Sequence, residues 1–129
     1  MRLGLTQDGL LIIYPDKFEL YNLRSGEIHT TTRISMHPRS IVGDFFEVEN
    51  ELKVMLESVF PSKFKTTRLI VCLKGQDGGG YTAIEIRAAR ELAYGAGAKE
   101  IHMANRVINS QEANDIFNGK DQECINKDA

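Results

Sequence analysis

Residues 68–92 read RLIVCLKGQDGGGYTAIEIRAAREL, and the periodicity of the chain changes along them. Arg68–Leu73 is a continuous apolar run of the kind found in a strand covered on both faces. The stretch Thr82–Tyr94 is rich in alanine and charged residues, aligns Ile84, Ala88 and Leu92, and meets Gly95 and Gly97. That spacing predicts a helix stopped by the glycines. A doubly covered strand feeding a helix implies a layered α/β sheet, and the flanking sequence continues it. Glu100–Ala104 predicts a short strand, and Ser110–Asn118 a third helix using Ala113, Ile116 and Phe117, with Gly119 as its stop. Upstream, Phe45, Val48, Leu52, Met55 and Val59 alternate steps of three and four and share one helical face. Asp44 with Glu47 fits a capping box at its start, and Pro61 ends it.

The first third reads as strands. Gly9–Tyr14 is apolar and β-prone, and Pro15–Asp16 breaks it. Phe18–Leu23 alternates apolar and polar residues, the period of a half-buried strand. Arg24–Gly26 predicts a turn, and Glu27–Ser35 a third strand containing three threonines. Arg2–Thr6 reads as a short edge strand or a frayed end. The order is therefore β-β-β-α-β-α-β-α. Three antiparallel strands extended by two parallel ones, a five-stranded mixed sheet with helices on its faces, is the ribonuclease-H-like arrangement, also the core of each half of actin-like proteins. One domain over residues 1–120 and a polar, disordered tail over 121–129 are expected.

Composition narrows the function classes. The 129 residues are 42% hydrophobic and 26% charged, as in an ordinary soluble domain. A net charge of −2 argues against nucleic-acid binding, which calls for a basic excess. The basic cluster Lys63–Arg68 reads as a solvated loop. No apolar run reaches the ~18 residues of a membrane span, and no signal-peptide pattern opens the chain, so a cytoplasmic location is expected. Cys72 and Cys124 read as free thiols. His29, His37 and His102 share no ligand spacing, so no metal site is expected.

The glycine-rich turn Gly75–Thr82 admits three readings. A phosphate loop of the form G-x-x-x-x-G-K-[ST] would need lysine where Tyr81 stands, and no strand ending in aspartate follows to hold magnesium. The second phosphate loop of actin-like ATPases would need a strand after Asp77–Thr82, where the period is helical. The third reading, a plain strand-to-helix connector, fits these residues best. Its amides at Gly78, Gly79, Gly80 and Thr82 could still attract an anion.

The segment from His37 to Met103 resembles the bacterial actin homologue MreB, of the rod-shape-determining protein family, in its subdomain IA. His37–Phe45 is similar to the family's R-P-x-x-x-G-V-I-A-D-F, and Arg68–Leu73 to its strand R-V-V-I-C-V-P. Thr82–Glu91 resembles T-E-V-E-x-R-A-V-R-D, and Ala96–Ile101 resembles A-G-A-R-E-V. The resemblance implies an actin-like fold and, in the family, ATP-driven filament assembly beneath the membrane. It also gives Glu85 the place of the glutamate that orients the attacking water, although Glu85 stands three residues after Thr82, where a capping box would put it.

The sequence departs from the family where nucleotide is held. The turn matching the family's first phosphate loop is Tyr14–Lys17, without glycine. The half that closes over ATP lies outside this sequence, and Asn105–Asn109 stands in place of the family's helical continuation after E-E-P-M-A-A-A. The expected function is therefore a non-catalytic, MreB-like module of the bacterial cytoskeleton. Its partner would be protein: an MreB-type filament or itself. No cofactor is expected, and ATP with magnesium is disfavoured. Two alternatives remain: a residual nucleotide or anion binder, and a two-metal nuclease using Asp16, Glu47 or Glu49, and Asp77.

Overall fold

In the computed structural model the described residues are 6–32, 45–74, 83–120 and 124–125. They form β1 (Thr6–Ile13), β2 (Lys17–Asn22), β3 (Ile28–Thr32), α1 (Phe45–Val59), β4 (Thr66–Leu73), α2 (Ala83–Gly95), β5 (Glu100–Met103) and α3 (Ser110–Phe117). The order of elements is the one the periodicity implies. One five-stranded mixed sheet runs β3-β2-β1-β4-β5. β1 is antiparallel to β2, with Ile13 opposite Phe18, and β2 is antiparallel to β3. β1 is parallel to β4 over its full length, and β4 is parallel to β5.

Alternation along the central strands sorts side chains between two cores. Leu11 and Ile13 of β1, with Leu69 and Val71 of β4, pack against Val48 and Leu52 of α1 and Ala89 and Leu92 of α2. Their neighbours Leu10, Ile12, Ile70 and Cys72 face the other way, onto Ile108, Ala113 and Ile116. The central strands are thus buried on both faces, which is why β4 carries an unbroken apolar run. β2 contributes Phe18 and Leu20 to the α1–α2 face, while its Tyr21 is half-buried against the second core.

Several boundaries and contacts differ from the sequence expectation. β1 begins at Thr6 rather than Gly9, and Tyr14 belongs to the following turn. Gly9 sits inside that strand because a Cβ there would stand 2.9 Å from both Leu69 Cδ2 and Phe60 Cζ. The buried face of α2 is Ala89, Leu92 and Ala93, while Ala88 is half-buried. Gly97, just past that helix, has φ +121°, a backbone state that favours glycine. Asp44, the expected cap of α1, lies outside the described residues, as do Arg2–Leu5 and Arg33–Ser35.

The basic cluster is only partly a solvated loop. Lys63, Phe64 and Lys65 are exposed, but Thr66, Thr67 and Arg68 form the start of β4. Arg68 is held by both oxygens of Asp8, Nε to Oδ1 at 2.7 Å and Nη2 to Oδ2 at 2.8 Å. Its guanidinium also lies 4.5 Å from the centre of the Phe117 ring. Of the segment expected to be a polar tail, Cys124 and Ile125 are described, and they pack onto the second core. The Cys124 carbonyl accepts from Asn105 N–H at 2.6 Å, and Ile125 bridges to Ala104.

Both cysteines are buried, and no disulfide joins them. Burial pushes the Cys72 thiol up to about 11, well above the ordinary thiol range. The folded state therefore keeps a proton that the unfolded chain releases near pH 9. Stability from this group is fully present below pH 9 and declines as pH rises from about 9 through 11. Urea titrations at pH 8, 9, 10 and 11 should show this decline, with less of it in Cys72→Ala. Iodoacetamide at pH 8 should leave Cys72 unmodified until the chain unfolds, because the thiolate is the nucleophile.

Candidate functional site at the carboxyl end of the parallel strands

β1, β4 and β5 run parallel, so Ile13, Leu73 and Met103 finish at the same end of the sheet. In open α/β sheets, ligands bind outside the carboxyl ends of the strands. Gathered there are the β1–β2 turn, the chain leaving β4, the amino end of α2, and the connection from Ala104 to Asn109. Lys74 N–H donates to Ile13 O at 2.9 Å, and Ala104 N–H to Val71 O at 2.9 Å, continuing the ladder past the strands.

The β1–β2 turn is closed by its own groups. Tyr14 N–H donates to Lys17 O at 2.9 Å, and Pro15 has no N–H to offer. The Tyr14 and Tyr21 hydroxyls both donate to Glu19 Oε1, at 3.1 and 3.2 Å. Lys17 Nζ is 3.4 Å from Glu19 Oε2 and 4.7 Å from the centre of the Tyr14 ring. Burial, reinforced by the Glu19 charge, pushes Tyr14 up to about 12. The same two causes raise Tyr21. Both phenols stay protonated at neutral pH, and the cation of the turn is already engaged. A phosphate loop needs free amides and room for close backbone approach. Here the Tyr14 amide is already taken and Pro15 has none to give.

Glu85 lies in the first turn of α2 and is half-buried. It precedes Ala89, Leu92 and Ala96 by four, seven and eleven residues, so it shares their sheet-facing side. The helix therefore holds Glu85 at the carboxyl end of the sheet. Thr82, its expected capping partner, lies outside the described residues, as do Gly78, Gly79 and Gly80.

The carboxylates of the nuclease alternative are not brought together. Asp16 is exposed in the β1–β2 turn. Glu49 reaches over Gly95, its Oε2 occupying the space where a Cβ would go. Gly95 ends the helix that leads into the amino end of β5, so Glu49 and Asp16 stand at opposite ends of the sheet. Glu47 is exposed in the first turn of α1, and Asp77 lies outside the described residues. Among the described residues, no group of three or more His, Cys, Asp or Glu side chains could hold a metal ion.

The connection after β5 ends in a well-formed cap. Asn109 Oδ1 accepts from Glu112 N–H at 2.8 Å, and Glu112 Oε1 accepts from Asn109 N–H at 3.2 Å. Arg106 Nη2 donates to Glu112 Oε2 at 2.5 Å, and that bond holds the carboxyl below its ordinary range. Asn109 with Glu112 was the visible signal for this cap, three residues apart before an apolar helix face. Sequence reasoning passed over it.

Sixty-five residues of this chain are 35% identical to the cell shape-determining protein MreB of Pasteurella multocida. Over about half of its length, this chain is similar to MreB. The matched stretch is 49% of this chain and 17% of that protein. The MreB of Haemophilus influenzae is 34% identical over 65 residues, again 17% of its length. No protein-family model matches the chain.

Proposed function

We propose that this chain is an actin-like module, related to rod-shape-determining proteins, that acts by binding protein and does not itself hydrolyse ATP. Its partner is an MreB-type filament or a second copy of the chain. Similarity to MreB supports the actin-like reading, and so does the strand order β3-β2-β1-β4-β5 with helices on both faces. On this reading the sheet is a ribonuclease-H-like one, and the order of its strands supports that. The observation that carries the non-catalytic part is the β1–β2 turn. In the family this turn hairpins under the phosphates, but here Lys17, Tyr14 and Tyr21 are bound up with Glu19.

On this reading the module works in the cytoplasm. No helix among the described residues is long and apolar enough to cross a membrane. Two measurements test the proposal together. In co-sedimentation with assembled MreB, the chain should pellet with the filaments. Calorimetry with millimolar magnesium-ATP should give no binding heat. A monomer that stays in the supernatant sinks the interaction reading, and steady release of phosphate from ATP sinks the non-catalytic one.

A further inference from the structure

The amino end of the parallel strands, opposite the site just described, holds an open cleft of about 460 Å³. Four lysines line it: Lys53 from α1, Lys63 and Lys65 from the α1–β4 connection, and Lys99 from the approach to β5. Among the described residues, Glu57 is the one acidic residue in the lining. All four lysines are exposed. Among the described residues none of them takes part in an ion pair. A chain of net charge −2 thus gathers an excess of three positive charges at one mouth. Beneath the lysines the lining is apolar, with Leu56, Phe60 and Ala96.

We infer that this cleft binds an acidic segment of a partner protein, with one large apolar side chain seated on Leu56, Phe60 and Ala96 and carboxylates meeting the four lysines. The inference names the partner chemistry of the interaction module proposed above and rests on that reading. Charge complementarity fixes the sign of the ligand. The helix termini decide against a compact phosphate. α1 and α2 both end at this cleft, at Val59 and Gly95, so the negative ends of their dipoles face it. Phosphate sites use helix amino ends, where N–H groups point at the ligand. A ligand here must carry its charge at the rim and an apolar group inward. An extended acidic peptide with an apolar anchor does both. Each rim pair contributes little by itself, so the buried anchor sets the affinity and the lysines set the sign and the salt dependence.

Fluorescence anisotropy with labelled peptides tests this. An aspartate- and glutamate-rich peptide with one central leucine should bind, and raising the salt should weaken it. Replacing that leucine by serine should weaken binding at least about tenfold. Lys53→Glu with Lys99→Glu should also weaken it at least about tenfold, and the same variant should gain affinity for a lysine-rich peptide with the same leucine. Lys74→Glu, at the other end of the sheet, should change nothing. Equal binding with serine in place of leucine overturns the inference, because the surface would then be merely electrostatic. So does lysine-dependent binding of inorganic phosphate or phosphatidylglycerol vesicles in place of the peptide. A chain that ignores every peptide yet still pellets with MreB overturns the lysine cleft alone; loss of both overturns the interaction reading as well.

Discussion

Phe18→Ala should cost about 3–5 kcal/mol of folding stability, the usual range for removing a fully buried aromatic ring. Phe18 is 0% exposed and is among the largest fully buried side chains of the chain. It is the second residue of β2, opposite Ile13, and belongs to the core that the sheet shares with α1 and α2. Truncation loses the transfer free energy of the ring and leaves a hole that strands paired on both sides cannot collapse to fill. Small domains hold only about 5–15 kcal/mol in total, so the variant should melt well below the wild type or fail to fold. Urea unfolding followed by circular dichroism measures the loss, and Phe18→Leu serves as the milder comparison. A loss under 1 kcal/mol for the alanine variant would mean that β2 does not pack as described.

Arg68→Ala should cost about 2–3 kcal/mol, because hydrogen bonds to charged groups are among the stronger ones. Arg68 binds both oxygens of Asp8 from the neighbouring parallel strand, with Glu100 Oε2 3.9 Å away on the other side. The Asp8 side chain is only 15% exposed. Removing the guanidinium strands that carboxylate without its cation, and this penalty exceeds the net worth of the pair itself. Asp8→Asn should therefore hurt less in the Arg68→Ala background than alone. The two changes should be non-additive by more than about 1 kcal/mol in a double-mutant cycle. Additivity within about 0.5 kcal/mol would show that Arg68 contributes only its packing against Phe117.

The same ion pair shows what the sequence could not reveal. Asp8 and Arg68 are sixty residues apart, and only the parallel register of β1 with β4 makes them neighbours. Element order, by contrast, was legible, because period two, period 3.6 and unbroken apolar runs are local signals. The sheet-facing side of α2 was read less well. Alanines dominate that helix and carry almost no size signal, so the spacing points to Ala88 although Ala89 is the fully buried residue. Cys124 was illegible for another reason, being a single apolar residue inside a polar stretch. Of the candidate site, the glycine-poor turn at Tyr14–Lys17 and the position of Glu85 could be anticipated. The closure of that turn by Glu19 could not, since it depends on three side chains of a hairpin meeting on one face. The lysine cleft draws on α1, the following connection and the approach to β5, so no single window of sequence displays it.

The two margins of the sheet are finished differently. Just beyond β5, Ile125 bridges to Ala104, while among the described residues β3 has β2 as its sole strand neighbour. Ile28–Thr32 carries neither lysine nor proline, the residues that most often discourage unwanted pairing at an open flank. Its main safeguard is brevity, five residues in all. Concentrated stocks of this protein should thus be limited by that flank, and a lysine in place of Thr31 is the economical way to keep them clear.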